Sequence, residues 1–391
     1  MESADYLVIG GGIAGTTAAE TLREEDPRAK IAILEAEPHV LYSRVLIPKY
    51  IKGQIQKDAL FLRKISDYAE KNIDFYPSAK VSKINPERRE TILENGQIFS
   101  YKKLLIASGG KPKTWTSDVQ VDVGRPKVLR MHTLEDAEEI KSALAGAKEK
   151  MVLILGEGFI ALEFLRIFIL NGFKTHLATK SDVWGETRLG RTGAEMLEEV
   201  FKKHGVIIHK KIVNGEKIKS ALTAVGIGLA RDLEDFAGLE VGQGILTDEF
   251  LETSQPGIFA AGDIAEFFDA IAGRRRIVGN WTNSFLQGRT AALNMLGRRV
   301  LFKNVSTYNI SCLDEKLTFA GDTEDFDDVL EIKKDGTLLR ALFSARGGSA
   351  FGGKDKILTG AVLINRFNDK IEMTKLIERG AEKNEVAKIF S

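Results

Sequence analysis

Near the start of the chain, Gly10, Gly12 and Gly15 are spaced G-x-G-x-x-G between an apolar run, Tyr6 to Ile9, and a stretch of helical composition, TTAAETL. In that spacing the first glycine permits a tight turn, the second lets backbone amides approach a pyrophosphate, and the third lets helix and strand pack closely. The phosphates then meet the positive end of a helix. The next strand, in KIAILEAEP, ends at Glu35, about 20 residues beyond the last glycine, where a carboxylate accepts hydrogen bonds from ribose hydroxyls. A less regular copy follows at MVLILGEGFIALEF. Gly156 and Gly158 keep their places, Ala161 replaces the third glycine, and Glu157 stands between the first two. Its carboxylate is expected to repel a pyrophosphate unless it turns to solvent. The partner strand, KTHLATK, ends in Thr179 and Lys180 with no acid at the ribose position. Lys180 there suits a 2'-phosphate, a lean toward NADPH. Two dinucleotide turns in one chain imply a flavin held at one and a nicotinamide nucleotide admitted at the other.

The rest of the composition narrows the partners. With 391 residues the chain exceeds what one core usually organises, so two or three domains are expected. Its 56 basic and 55 acidic residues nearly cancel, leaving no footprint for nucleic acid and no basic block for a lipid surface. The most apolar run, Phe159 to Leu170, is too short to span a bilayer and carries Glu163 and Arg166. The opening MESADYLVIG lacks the order of a secretory signal, so a cytoplasmic location is expected. Cys312 is the single cysteine, which excludes an intrachain disulfide and any thiolate-rich metal site.

Several further stretches resemble the FAD-dependent pyridine nucleotide-disulfide oxidoreductases. YKKLLIASGGKP is similar to the strand and turn that leave that family's flavin domain, and LETSQPGIFAAGDIAE to its second flavin motif. GNWTNSFLQGRTAALNMLG is similar to the segment whose helix start faces the flavin pyrimidine, and VLYSRVLIPKYIKGQI most resembles rubredoxin reductases, the flavin domain of nitrite reductase and reductases serving oxygenase ferredoxins. The resemblance implies an α/β fold with two Rossmann-like domains. The FAD domain spans 1–111 and 238–297, interrupted by an NAD(P)H domain at 112–237, and a small C-terminal α+β domain at 298–391 caps the flavin and offers a dimer interface. The stretches KPKTW and GRPKVLR suit the crossing between the first two. In the C-terminal part, Asp335-Gly336 reads as a hairpin turn and IEMTKLIERG as a closing helix. Relatives carry extra antiparallel strands where this chain has only NGEKIKSA, so the nucleotide domain reads as trimmed.

The resemblance also distributes roles. FAD would contact Gly10, Gly12, Ile13, Ala14, Gly15, Glu35 and Ala36 in the first turn, Arg44 and Val45 beyond it, and Val81. It would further contact Ala107, Ser108 and Gly109 at the exit, Gly262 and Asp263 in the second motif, with Asp263 accepting from the ribityl chain, and Trp281 beside the isoalloxazine. The nicotinamide nucleotide would lie on Gly156, Gly158, Phe159, Ile160, Ala161, Lys180 and Gly226. Lys49 and Glu163 would meet near flavin N5 as the catalytic pair. Thiol-using relatives place a cysteine where this chain has Val45, so electrons are expected to leave directly for a rubredoxin- or ferredoxin-like protein, a quinone-like molecule or dioxygen. The competing expectation is a subunit that holds FAD as a relay or scaffold beside a degenerate nucleotide domain. A thiol reductase is disfavoured by the cysteine count.

Overall fold

The structure, a computed structural model, describes residues 2–115, 119–121, 127–211, 216–345 and 356–390. The apolar run Tyr6 to Ile9 forms the C-terminal half of β1 (Glu2–Ile9), which feeds α1 (Ile13–Glu25) and then β2 (Ile31–Leu34). After the short α2 (Ile47–Ile51) come β3 (Ile73–Tyr76), β4 (Val81–Asn85), β5 (Glu90–Leu93) and β6 (Ile98–Ile106). The sheet runs β3-β2-β1-β6-β5-β4, parallel as far as β6 and antiparallel beyond it. The second half of β1 and all of β2 are continuously apolar because both faces of a parallel sheet are covered. Apolar clusters accordingly lie on its two sides, one around Val8, Leu22 and Phe259, the other around Leu7, Phe99 and Ile258.

The chain then builds a second sheet. It contains β7 (Lys127–Leu129), α3 (Leu134–Gly146), β8 (Met151–Leu155), α4 (Phe159–Leu170), β9 (Lys174–Ala178), α5 (Glu186–Lys203), β10 (Ile207–His209) and β11 (Leu222–Val225). The order β10-β9-β8-β11-β7 is parallel throughout. In the NGEKIKSA stretch, Glu216–Ile218 forms a short strand parallel to Val119–Val121. Asn214 and Gly215, like Gly124 to Pro126 of GRPKVLR, lie outside the described residues. The chain returns to the first sheet with β12 (Ile258–Ala260), parallel to β6, and then enters α6 (Trp281–Met295).

The remainder is an antiparallel sheet in the order β13-β14-β17-β16-β15, made of β13 (Thr307–Cys312), β14 (Glu315–Gly321), β15 (Asp328–Lys334), β16 (Thr337–Ser344) and β17 (Ile357–Ile364). Asp335 (φ 45°) and Gly336 (φ 73°) make the two-residue turn between β15 and β16, both left-handed as a hairpin of that length favours. The expected closing helix is α7 (Lys370–Glu378); the structure adds α8 (Lys383–Phe390). The apolar α4 is explained by its position. Phe164, Leu165 and Phe168 are fully buried, and Phe159 makes edge contacts with Tyr308 at 4.7 Å and Phe319 at 5.1 Å in the C-terminal sheet. One apolar cluster joins Ile47 and Tyr50 of α2, this helix, and Cys312 and Leu317, so all three regions share a core. Among the described residues no helix is long and apolar enough to cross a membrane.

Candidate functional site

The first glycine turn leaves no room for side chains at Gly10 and Gly15. Gly10 has φ 99°, and a Cβ there would fall 2.4 Å from the Ala107 carbonyl oxygen; one at Gly15 would fall 1.9 Å from the Gly10 oxygen. Gly12 is the N-cap of α1 and has no side chain to satisfy the first helical amides, while the space where its Cβ would sit is open for 4 Å. Those free amides, opened by Ile13 and Ala14, suit a pyrophosphate. Glu35 closes the site. Its Oε2 accepts from the Gly11 amide at 2.5 Å and its Oε1 from the Glu37 amide at 2.8 Å, and burial pushes its carboxyl above the ordinary carboxylate range. Ala36 follows it on the surface, and the Ala79 amide donates to the Glu35 carbonyl at 2.7 Å, bringing the start of β4 and buried Val81 alongside.

The exit of β6 lies next to this turn. The Ala107 amide donates to Ile9 at 2.7 Å, Ser108 is exposed, and Gly109 turns the chain with φ 69°. The second motif approaches from β12: the Gly262 amide donates to Gln287 Oε1 at 2.7 Å, which fixes α6 against the turn. Asp263 follows. Ser284 Oγ, at 3.5 Å, is the one hydrogen-bond partner its carboxylate has among the described residues, and burial pushes that carboxyl up. An acid set so deep with unfilled acceptor positions suits a polyhydroxyl chain. Trp281 is half-buried at the first position of α6, whose cap is the Asn280 side chain accepting from Asn283 N at 2.9 Å. A bare helix start, a half-open carboxylate at the ribose position and an under-partnered Asp263 fit FAD.

Arg44 is more engaged than its sequence context indicated. Its guanidinium donates to Glu37 Oε1 and to the His132 carbonyl, both at 2.6 Å, tying the first sheet's loop to the residue before the N-cap of α3. Burial and the neighbouring Arg44 charge press the His132 imidazole down to about 4. Val45 is 61% exposed. Arg231, also not anticipated, donates through Nε to the Asp263 carbonyl.

The second turn repeats the first in its backbone. Gly156 has φ 127°, and its Cβ would lie 2.2 Å from the Gly226 carbonyl; the Gly226 amide donates to Leu155 at 2.8 Å, as Ala107 does to Ile9. Gly158 caps α4 without a side chain, Ile160 is 39% exposed, and Ala161 is fully buried where a third glycine would stand. Phe159 turns its ring into the C-terminal domain, leaving its amide for a ligand. Trp184, which no motif signalled, supports the loop by donating from Nε1 to the Gly156 carbonyl at 2.9 Å. Lys180 is exposed at the strand end. The expectation for Glu157 needs correcting: its carboxylate neither faces the pyrophosphate path unpartnered nor turns to solvent. It accepts from the Thr179 hydroxyl and from Ser181 Oγ at 3.0 and 3.1 Å, so the strand end has an acid after all.

The expected Lys49–Glu163 pair is also corrected. Glu163 is instead 3.4 Å from Lys52 Nζ and 3.7 Å from Arg166. In α2 the buried side is Ile47, Tyr50 and Ile51, which puts Lys49 on the opposite, exposed side. Lys52, at the C-cap, has its side chain only 5% exposed. The one cysteine, Cys312, is fully buried in β13, and burial pushes its thiol up to about 12.

The family model described as "Pyridine nucleotide-disulphide oxidoreductase" matches residues 4–288. The chain is 26% identical to the 3-phenylpropionate/cinnamic acid dioxygenase ferredoxin–NAD(+) reductase component of Photorhabdus laumondii, covering 98% of each chain. It is 26% identical to the NADH-rubredoxin oxidoreductase of Clostridium acetobutylicum over 78% of each. In fold it is similar to the crystal structure of the covalent putidaredoxin reductase–putidaredoxin complex, with a TM-score of 0.85, 22% identity, and coverage of 98% of this chain and 95% of that one.

Proposed function

Because the chain belongs to the pyridine nucleotide-disulphide oxidoreductase family, we propose that it is an FAD-dependent NADH oxidoreductase delivering electrons to a small iron-sulfur or rubredoxin-type protein. The observation that carries this reading is the presence of two glycine turns on two parallel sheets, each opening on an uncapped helix, joined by a part-buried ion pair. FAD, when bound, supplies the two-electron carrier that takes hydride from a nicotinamide nucleotide and releases electrons onward.

The chain's own residues do the rest. The α1 amides would hold the pyrophosphate of FAD, Glu35 its adenosine ribose and Asp263 its ribityl hydroxyls, while the positive end of α6 would stabilise negative charge developing on the ring. Lys52, in place of Lys49, would present the cation of the catalytic pair, and Glu163 would hold it there. The α4 amides beyond Gly158 would receive the second nucleotide. With Val45 exposed and Cys312 buried, no thiol relay stands between the carrier and its acceptor. The alternative of a degenerate nucleotide domain loses one of its two supports, since Glu157 is held against Thr179 and Ser181; the trimmed domain remains in its favour.

Mixing the NADH-reduced protein anaerobically with rubredoxin and with a [2Fe–2S] ferredoxin tests the acceptor. Rapid reduction of one of them is expected. Reoxidation by dioxygen or a quinone alone, with both proteins left oxidised, would contradict it.

A further inference from the structure

We propose that Glu157 supplies, from within the glycine loop, the carboxylate that reads the adenosine ribose of the nicotinamide nucleotide, and so selects the free 2'-hydroxyl of NADH against the 2'-phosphate of NADPH. The inference rests on the second turn admitting a nicotinamide nucleotide, as proposed above.

The strand registers make the two sites comparable position by position. In the first, β1 and β2 pair Ile9 with Leu34; in the second, β8 and β9 pair Leu155 with Ala178. Glu35 and Thr179 therefore occupy the same place, one residue past the strand end, and Gly11 and Glu157 the same place in the loop, two residues past the first strand. At the first site the strand end provides the acid, which reaches to the loop amide of Gly11 at 2.5 Å. At the second the donor and acceptor have exchanged sides. The loop provides the acid, and the strand end provides hydroxyls: Thr179 donates to Oε1, and Ser181 Oγ lies 3.0 Å from Oε1 and 3.1 Å from Oε2. Both arrangements put a carboxylate between glycine loop and strand end, where an adenosine ribose is read.

The setting of Glu157 is built. Thr179 is buried, and the Ser181 amide donates to its Oγ1 at 3.0 Å, which fixes the hydroxyl that orients the carboxylate. Two hydroxyl donors leave acceptor positions on the two oxygens unfilled, enough for a pair of ribose hydroxyls. A 2'-phosphate placed there would bring a second negative group against the first. The lean toward NADPH drawn from Lys180 is thereby reversed, because the carboxylate sits between loop and strand end while Lys180 lies exposed beyond it.

Calorimetric titration of the FAD-loaded protein with ADP-ribose and with 2'-phospho-ADP-ribose, neither of which is redox-active, tests this. The parent protein should bind ADP-ribose at least ~10-fold more tightly. Glu157→Gln should erase most of that preference, mainly by weakening ADP-ribose. Glu157→Gly combined with Thr179→Glu, which rebuilds the arrangement of the first site, should restore it. An unchanged ratio in Glu157→Gln would overturn the inference, as would equal tightening of both fragments, the mark of a carboxylate that only obstructs the pyrophosphate. Failure of the parent protein to bind either fragment would overturn both this inference and the nucleotide site on which it rests.

Discussion

Lys52 Nζ lies 3.4 Å from the Glu163 carboxylate, with the lysine side chain 5% exposed and the glutamate 22%. The pair bridges the C-terminal end of α2, which follows β2 in the chain, and the second turn of α4, which starts from the nucleotide-side glycine loop. A cation so enclosed is strongly coupled to its partner and to whatever charge develops nearby.

Replacing that cation should therefore slow flavin reduction while leaving FAD in place. Lys52→Met is expected to lower the rate of reduction by NADH at least ~10-fold, about 1.4 kcal/mol. Lys49→Met, on the exposed side of the same helix, should stay within about twofold of the parent, as surface substitutions do. Anaerobic stopped-flow measurements on both variants decide between them. Equal slowing in the two, or none in Lys52→Met, would remove Lys52 from the proposed mechanism.

The lone thiol should be inert. Only the thiolate is a nucleophile, and burial that pushes Cys312 up to about 12 keeps it protonated at neutral pH. The folded protein should not react with an aromatic disulfide reagent until it is denatured, and Cys312→Ala should retain both reduction by NADH and reoxidation. Loss of turnover in Cys312→Ala with FAD still bound would show that a thiol participates.

His132 predicts a specific acid sensitivity. Its imidazole is held at about 4 in the folded chain against an ordinary 6.5, by burial and then by Arg44. Between those two values the unfolded chain binds a proton that the folded chain does not, so this residue's contribution to stability is intact above pH 6.5 and is lost as the pH falls toward 4. The melting temperature of the parent protein should fall more steeply across that window than that of His132→Gln. Parallel curves for the two proteins would refute the assignment.

What the sequence made legible is what the backbone alone determines. The glycine turns could be read because Gly10 and Gly15 are required by contacts within 2.4 Å of main-chain atoms, which no other residue type satisfies. The Asp335-Gly336 hairpin could be read because a two-residue turn favours left-handed φ, which Asp-Gly adopts at both positions here. Side-chain direction was less accessible. The phase of α2 was available in Ile47, Tyr50 and Ile51, and it would have turned attention from Lys49 to Lys52. Nothing in the order of residues says that Glu157 reaches across to Thr179, because that contact joins two strands whose register emerges only on folding. The same holds for Arg44 and His132, 88 residues apart.

In the proposed mechanism electrons enter this flavoprotein from a nicotinamide nucleotide through the second glycine turn. Anaerobic titration of the purified yellow protein with NADH, following the flavin absorption band, tests it most directly. Stoichiometric NADH should bleach the band, and the flavin released on denaturation should be FAD. A bound flavin that dithionite bleaches, yet excess NADH and NADPH both leave oxidised, would contradict it.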